Sequence, residues 1–302
     1  LNKQVAGFVH RVGVHCESSA LRDVFEFYGF KFSESMIFGL GSGLSFVYWH
    51  SKQMPYPFVG GRARDFDKSL CANLGVSLKI NKTSSKTRAY EDLKTMISKD
   101  QPVMIHVDMP YLKYLGLPEQ AHFGAHAVVV AGLDEDKCVA YIADNAFKNL
   151  QTTTLKELED ARSSPFKPFP AENKWIIFEF PTKLTPIGEA IKTSVTKTAT
   201  EMLNSPIKNL GVKGINHFAN EIVKWPKLFP PKNAVFRQLC EVTYIMMQED
   251  GTGGGLFRYL YSRFLKEAGE LLGNKELVDL GQRYNQIGQK WTTIAKLIRE
   301  IP

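Results

Sequence analysis

The sequence predicts an α+β domain followed by an all-helical one. Three observations carry that expectation. Cys16 stands at the head of a helical run, short strands and helices intermingle up to residue 180, and from Pro181 onward helical periodicity takes over without a convincing strand. The expected division is therefore 1–180 for the mixed domain and 181–302 for the helical one. A chain of 302 residues is long enough for each part to bury a core.

Residues 16–29 read as the first helix. Leu21, Val24, Phe25 and Tyr28 recur at three- and four-residue spacing, and Gly29 supplies a stop. Residues 38–49 read as a glycine-rich turn running into an apolar strand, and Gly60 and Gly61 as the opening of a helix that runs through Leu74 to Gly75. A strand is expected at 76–80, a helix at 89–99, and at 102–108 a buried strand rich in branched residues. The clearest hairpin follows, with strands at 125–133 and 138–144 around a polar turn. A threonine-capped helix at 152–161, a loop marked by Pro165, Pro168 and Pro170, and a strand at 175–180 close the mixed domain. The helices expected beyond it are 186–203, 215–225, 233–248, 256–272 and 275–298, with the glycine-rich stretch 251–255 between the third and fourth.

Composition narrows the classes of function. An apolar fraction of 44% and a charged fraction of 23% describe an ordinary globular protein. No apolar run approaches the ~20 residues of a membrane span, and no signal peptide opens the chain. The net charge of +7 is moderate, and lysines such as Lys79, Lys82, Lys86, Lys94 and Lys99 are scattered without aromatic interleaving. That pattern argues against a nucleic-acid groove. Cys16, Cys71, Cys138 and Cys240 are widely separated with no CxxC, as expected of a reducing cytoplasm.

Chemistry concentrates at Cys16 and at the hairpin. A thiol at a helix start that hands its proton to an imidazole becomes a nucleophile. A three-residue hairpin turn would set His126 directly opposite Asp144, and a four-residue turn would set it opposite Asn145. Either residue type can orient an imidazole. Asp144 is the preferred partner, because a carboxylate both fixes the tautomer and stabilises the imidazolium. A single cysteine is more often a buried structural residue, but nucleophile, base and orienter recurring together favour the triad Cys16, His126 and Asp144.

The order of Cys at a helix start, His on a strand and Asp at the end of the return strand resembles the papain-like cysteine peptidase fold. In its bacteriocin-processing branch, His and Asp bracket a similar hairpin. More closely, His15-Cys-Glu-Ser-Ser-Ala-Leu-Arg22, Phe38-Gly-Leu-Gly-Ser-Gly-Leu-Ser-Phe46, Gly60-Gly-Arg62 and Gly124-Ala-His-Ala-Val-Val-Val-Ala-Gly132 resemble the N-terminal domain of the butirosin biosynthesis protein H family. Gly253-Gly-Gly-Leu-Phe-Arg-Tyr-Leu-Tyr261 resembles the uncharacterised helical domain that accompanies it. The resemblance implies an acyltransferase that forms an amide through a cysteine thioester. It would take the acyl group from a thioester donor, an acyl carrier protein among the candidates, and deliver it to a small-molecule amine. The alternatives are a cysteine peptidase or amidase using the same thiol, and a non-catalytic binding protein on that fold. No cofactor is implied.

In this reading the Cys16 N–H is one oxyanion donor. Papain-like peptidases usually carry Gln six residues before the cysteine, and here that position is His10, whose neutral imidazole would be the second donor. His15 and Asn145 are grouped with it as residues supporting the site. Gly41, Ser42 and Gly43 read as a tight turn lining the acyl cleft, and Arg62, Arg64 and Arg258 as holders of a donor phosphate or carboxylate. His122 and His126 have the spacing of two zinc ligands on a helix, but Gly124 and the following valines point to a strand, so no metal is expected.

Overall fold

The computed structural model describes every residue except 52, 53, 55, 230–233 and 302. The elements in chain order begin with β1 (Asn2–Gln4), α1 (Cys16–Phe27), α2 (Glu34–Leu40), β2 (Leu44–Trp49), β3 (Phe58–Arg62) and α3 (Phe66–Leu74). There follow β4 (Ser77–Asn81), α4 (Lys86–Ser98), β5 (Val103–Val107), β6 (His126–Asp134), β7 (Val139–Ala143), β8 (Gln151–Thr154), α5 (Leu155–Ser163) and β9 (Trp175–Glu179). The remainder is helical: α6 (Ile187–Leu203), α7 (Gly211–Ile222), α8 (Trp225–Leu228), α9 (Ala234–Gln248), α10 (Arg258–Leu272) and α11 (Lys275–Glu300). Asn233, where the sequence starts the third C-terminal helix, lies outside the described residues.

Two compact units result. One comprises Leu1–Glu34 and Val76–Thr182, the other Ser35–Gly75 and Lys183–Pro302. Residues 35–75, read from the sequence as part of the mixed domain, belong with the helices instead. The reason is the isolation of β2 and β3, which form a separate two-stranded sheet. A lone hairpin cannot cover its own apolar face. Phe46, Tyr48 and Val59 are buried in one cluster with Phe218, Trp225, Phe236 and Trp291 from the helices. Gly60 and Gly61 complete β3 rather than opening a helix, and α3 starts at Phe66.

In the first unit an antiparallel sheet runs in the order β4-β9-β5-β6-β7-β8, with β1 also paired to β6. All nine residues of β6 are buried, so its run of valines reads as continuous rather than alternating. Leu93 and Ile97 of α4, with Leu158 and Ala161 of α5, pack on Val103, Ile105, Val128 and Val130. Gly132 admits the backbone of β1, because a Cβ there would lie 2.7 Å from the Lys3 carbonyl oxygen. The helix α1, which carries Cys16, packs on β5 and β6.

The hairpin register differs from both expected alternatives. Near the turn Asp134 faces Val139 and Gly132 faces Tyr141, but beyond it Val130 faces Ile142 and Val129 faces Ala143. One extra residue of β6, at Ala131, forms a bulge between these stretches. Continued past Ala143, the inner register sets Asp144 opposite Val128. It is then a diagonal neighbour of His126 on the same face, within reach of a long side chain. Without the bulge Asp144 would lie opposite Val129, and its side chain would leave from the other face. The bulge therefore joins His126 to its carboxylate.

Candidate active site

Helix α1 is amphipathic on paper but buried on nearly all sides, since Glu17 through Phe25 are all inaccessible. Its start is tightly determined. His15 is the N-cap, and its Nδ1 accepts from the Ser18 amide at 3.2 Å. Glu34 accepts from the amides of Val14 and His15 at 3.0 and 2.9 Å, and from the Ser18 hydroxyl at 2.8 Å. These bonds satisfy donors that a helix start leaves open, and they hold the residue before Cys16 in place. Gly13 has no room for a side chain, since a Cβ would lie 1.8 Å from the Ser19 hydroxyl oxygen.

His126, the first residue of β6, is 5% exposed. Its Nε2 donates to Asp144 Oδ2 at 2.9 Å, and Cys16 is the second side chain that acts electrostatically on the same ring. With Nε2 given to the carboxylate, Nδ1 is the ring nitrogen that can take a thiol proton. Burial alone would lower the proton affinity of His126, but Asp144 and Cys16 outweigh it and push its pKa up to about 10. The Asp144 carboxyl is itself held below its ordinary range, because its bonds to His126 and Tyr114 outweigh burial. The Tyr114 hydroxyl donates to Asp144 Oδ2 at 3.0 Å, and burial together with that carboxylate raises its pKa. Tyr114 comes from the irregular connection between β5 and β6. The sequence reading missed it, since a loop tyrosine carries no periodic signal.

His10 occupies a different place from the oxyanion donor expected of it. Its Nδ1 lies 2.6 Å from Asp23 Oδ2, and its Nε2 donates to the carbonyls of Asp144 and Phe147 at 3.1 and 2.9 Å. Both ring nitrogens are thus engaged, and none is left for a developing oxyanion. Burial works against its charge, yet Asp23 and the two carbonyls raise its pKa. His10 instead ties α1, through Asp23, to the backbone of Asp144. Arg22 completes the buried group: it bonds Asp23 Oδ1 through Nε and Nη2 at 3.0 and 2.8 Å, and also donates to the carbonyls of Arg11 and Val12. The adjacent charges Arg22-Asp23 inside an apolar helical run were the signal for this network. Asn145 clamps the same region, since it exchanges hydrogen bonds with Gly13 at 2.9 and 3.3 Å.

The expected substrate-binding residues all belong to the second unit. There Gly41, Ser42 and Gly43 are packed against neighbouring side chains and backbone. A Cβ at Gly41 would lie 2.4 Å from the Phe66 ring, one at Gly43 would lie 2.6 Å from the Phe38 carbonyl oxygen, and Ser42 is fully buried. Arg258 is 2% exposed, donates to the Leu256 carbonyl at 2.6 Å and lies over Trp291. Burial lowers its pKa to about 10. It is a core cation, because apolar neighbours from distant positions close around it. Arg62, half-buried, donates to the Ala63 carbonyl and lies over the Phe66 ring. His122, in a loop rather than on a helix, bonds Asp108 at 2.8 Å and stacks on Phe166. Among the described residues no cluster of three or more His, Cys, Asp or Glu is placed to hold a metal ion, and no helix is long and apolar enough to cross a membrane.

With this geometry in place, the family models account for nearly the whole chain. Residues 15–145 match "Butirosin biosynthesis protein H, N-terminal", and residues 156–302 match "Domain of unknown function (DUF4872)". The chain joins a butirosin H-type domain to a DUF4872 domain. The butirosin H-type span runs from the N-cap of α1 to the residue after Asp144, so it encloses Cys16, His126 and Asp144 together. The DUF4872 span begins inside α5 and so includes β9 of the first unit's sheet. Among solved structures, the peptidase domain of Streptococcus ComA, a bifunctional ABC transporter involved in a quorum sensing pathway, is similar at 15% identity. That likeness covers 60% of this chain and 100% of that one, at a TM-score of 0.35. A search of curated proteins gave no match.

The butirosin H-type site makes the four cysteines unequal. Burial pushes the thiols of Cys71 and Cys240 up to about 12 and about 11, while Cys138 is exposed and lacks an imidazole partner of the Cys16 kind. Iodoacetamide at neutral pH is expected to alkylate Cys16 first, with Cys138 as the slower background and Cys71 and Cys240 untouched. Peptide mapping by mass spectrometry measures this. Equal labelling of Cys16 and Cys138 would count against an activated thiol.

Proposed function

We propose that the butirosin H-type domain is a cysteine-dependent acyltransferase. In this reading Cys16 takes an acyl group from a thioester and passes it to an amine. The observation that carries it is one imidazole, His126, bonded to Asp144 and acted on electrostatically by Cys16, in a span that matches the butirosin H family. The Cys16 sulfur, its proton passed to His126, attacks the thioester carbonyl carbon. A tetrahedral oxyanion forms and collapses, the carbon–sulfur bond of the donor breaks, and the leaving thiolate takes the proton from His126. The incoming amine then attacks the Cys16 thioester and gives its proton to His126. Collapse forms the amide and frees Cys16. Asp144 keeps the ring in one orientation throughout and favours its charged form. The Cys16 N–H at the helix start is the oxyanion donor, by the direction of the unpaired amides there. An acyl carrier protein is one source of such a thioester.

Incubation with a panel of acyl thioesters, read by intact-mass spectrometry, tests the reading. The expected result is an adduct of one acyl mass, absent in Cys16→Ser, that is discharged faster when amines are added. Discharge to free acid at a rate no amine alters would assign the same thiol to hydrolysis instead. No adduct with any thioester would remove the enzyme reading.

A further inference from the structure

The first unit contains a second polar feature, apart from Cys16. A cavity of about 310 Å³ opens between α4 and α5, lined by residues that include Ala89, Tyr90, Leu155, Leu158, Arg162 and Asn173. Arg162 is 3% exposed, and only its Nη1 has an acceptor, the Ala89 carbonyl at 2.9 Å. Nε and Nη2 are both buried and have no hydrogen-bond partner among the described residues. Those two nitrogens form the side-on edge of the guanidinium, the fork that a carboxylate or phosphate takes with two parallel bonds. A buried guanidinium with that edge empty is destabilising, and an anion seated on it would offset the cost.

Both signs of charge surround the guanidinium, with the cations in excess along the lining. Lys86, Lys156 and Glu159 line the same cavity. Glu159 and Asp160 bridge the two lysines, with contacts between 2.7 and 3.5 Å. Asp92 is the further carboxylate acting on Arg162, and it pairs with Arg88. The first residues of α4 and of α5, Lys86 and Leu155, both line the cavity. Ala89, Leu155 and Leu158 supply an apolar wall.

We propose that this cavity binds a small anion, a phosphate or carboxylate group carried on a short apolar body, toward which the Arg162 side chain turns its Nε and Nη2 edge, closed to solvent in this structure. The proposal is independent of the chemistry at Cys16. The test is titration of the full chain with inorganic phosphate and, separately, with hexanoate. The ¹⁵N resonance of the Arg162 Nε, assigned by its loss in Arg162→Met, is followed alongside calorimetry. The expected result is a saturable shift with a dissociation constant in the millimolar range or tighter for at least one probe, weakened roughly tenfold or more in Arg162→Met. Response to phosphate alone, hexanoate alone or both identifies the head group. If Arg162→Met fails to fold, as judged by near-UV circular dichroism, Arg162→Lys provides the assignment and the comparison. A resonance that neither probe moves saturably, or binding that the substitution leaves unchanged, would overturn the proposal.

Discussion

Replacing His126 with glutamine is expected to slow acylation of Cys16 by about 10²–10⁴-fold, the usual contribution of a positioned general base. Glutamine retains a donor for Asp144 but cannot accept the thiol proton, so the fold should survive while the chemistry fails. A stopped-flow assay of thioester consumption measures the rate, and a loss below about tenfold would mean that another group takes the proton. The same variant carries a pH signature. The pKa of His126 is raised from 6.5 to about 10 in the folded chain. Stability from its proton is therefore fully present below about 6.5 and lost as pH rises through about 10. Melting temperatures of the wild type should fall between those limits, and His126→Gln should show a shallower fall. Some slope will remain, since the pKa of His10 is raised too. Identical slopes in the two proteins would contradict the raised pKa of His126.

Substituting Asp23 with alanine is expected to destabilise the chain by about 3–5 kcal/mol, the range for removing one member of a buried ionic group. Asp23 is 1% exposed and lies between Arg22 and His10, so its loss leaves a buried guanidinium and an imidazole without their carboxylate. Urea unfolding gives the difference directly. A loss under about 1 kcal/mol would place the pair among ordinary surface bridges. Because His10 also bonds the Asp144 carbonyl, Asp23→Ala should slow Cys16 acylation even at temperatures where the variant is folded. Asp23→Asn, which keeps an acceptor but no charge, should fall between the wild type and alanine in both measurements.

The candidate triad was legible because each member sits on an element that local pattern reveals. Cys16 heads a run with helical spacing, and His126 and Asp144 bracket two strands with an evident turn. The pairing register was not legible, because nothing in the residues around Ala131 marks it as the extra one in β6. His10 stood out by its distance from Cys16, but the role assigned to it depended on a free ring nitrogen. Only the folded chain shows Asp23 and two carbonyls occupying that ring. The glycines at 41 and 43 announced a tight turn, yet what fills the space beside them is Phe66 and Phe38. Arg258 looked like a ligand holder because arginine is normally exposed, and long-range packing buried it.

By itself the sequence determined the order and type of most elements, the helical character beyond residue 180 and the reactive groups available. These follow from capping, periodicity and turn chemistry, which act over a few residues. The tertiary structure alone decided that residues 35–75 belong with the helices, that a bulge turns Asp144 toward His126, and that Arg162 is enclosed with one edge unpaired. Each of those outcomes depends on apolar surfaces or polar groups far apart in the chain meeting in space, which no short window of residues encodes.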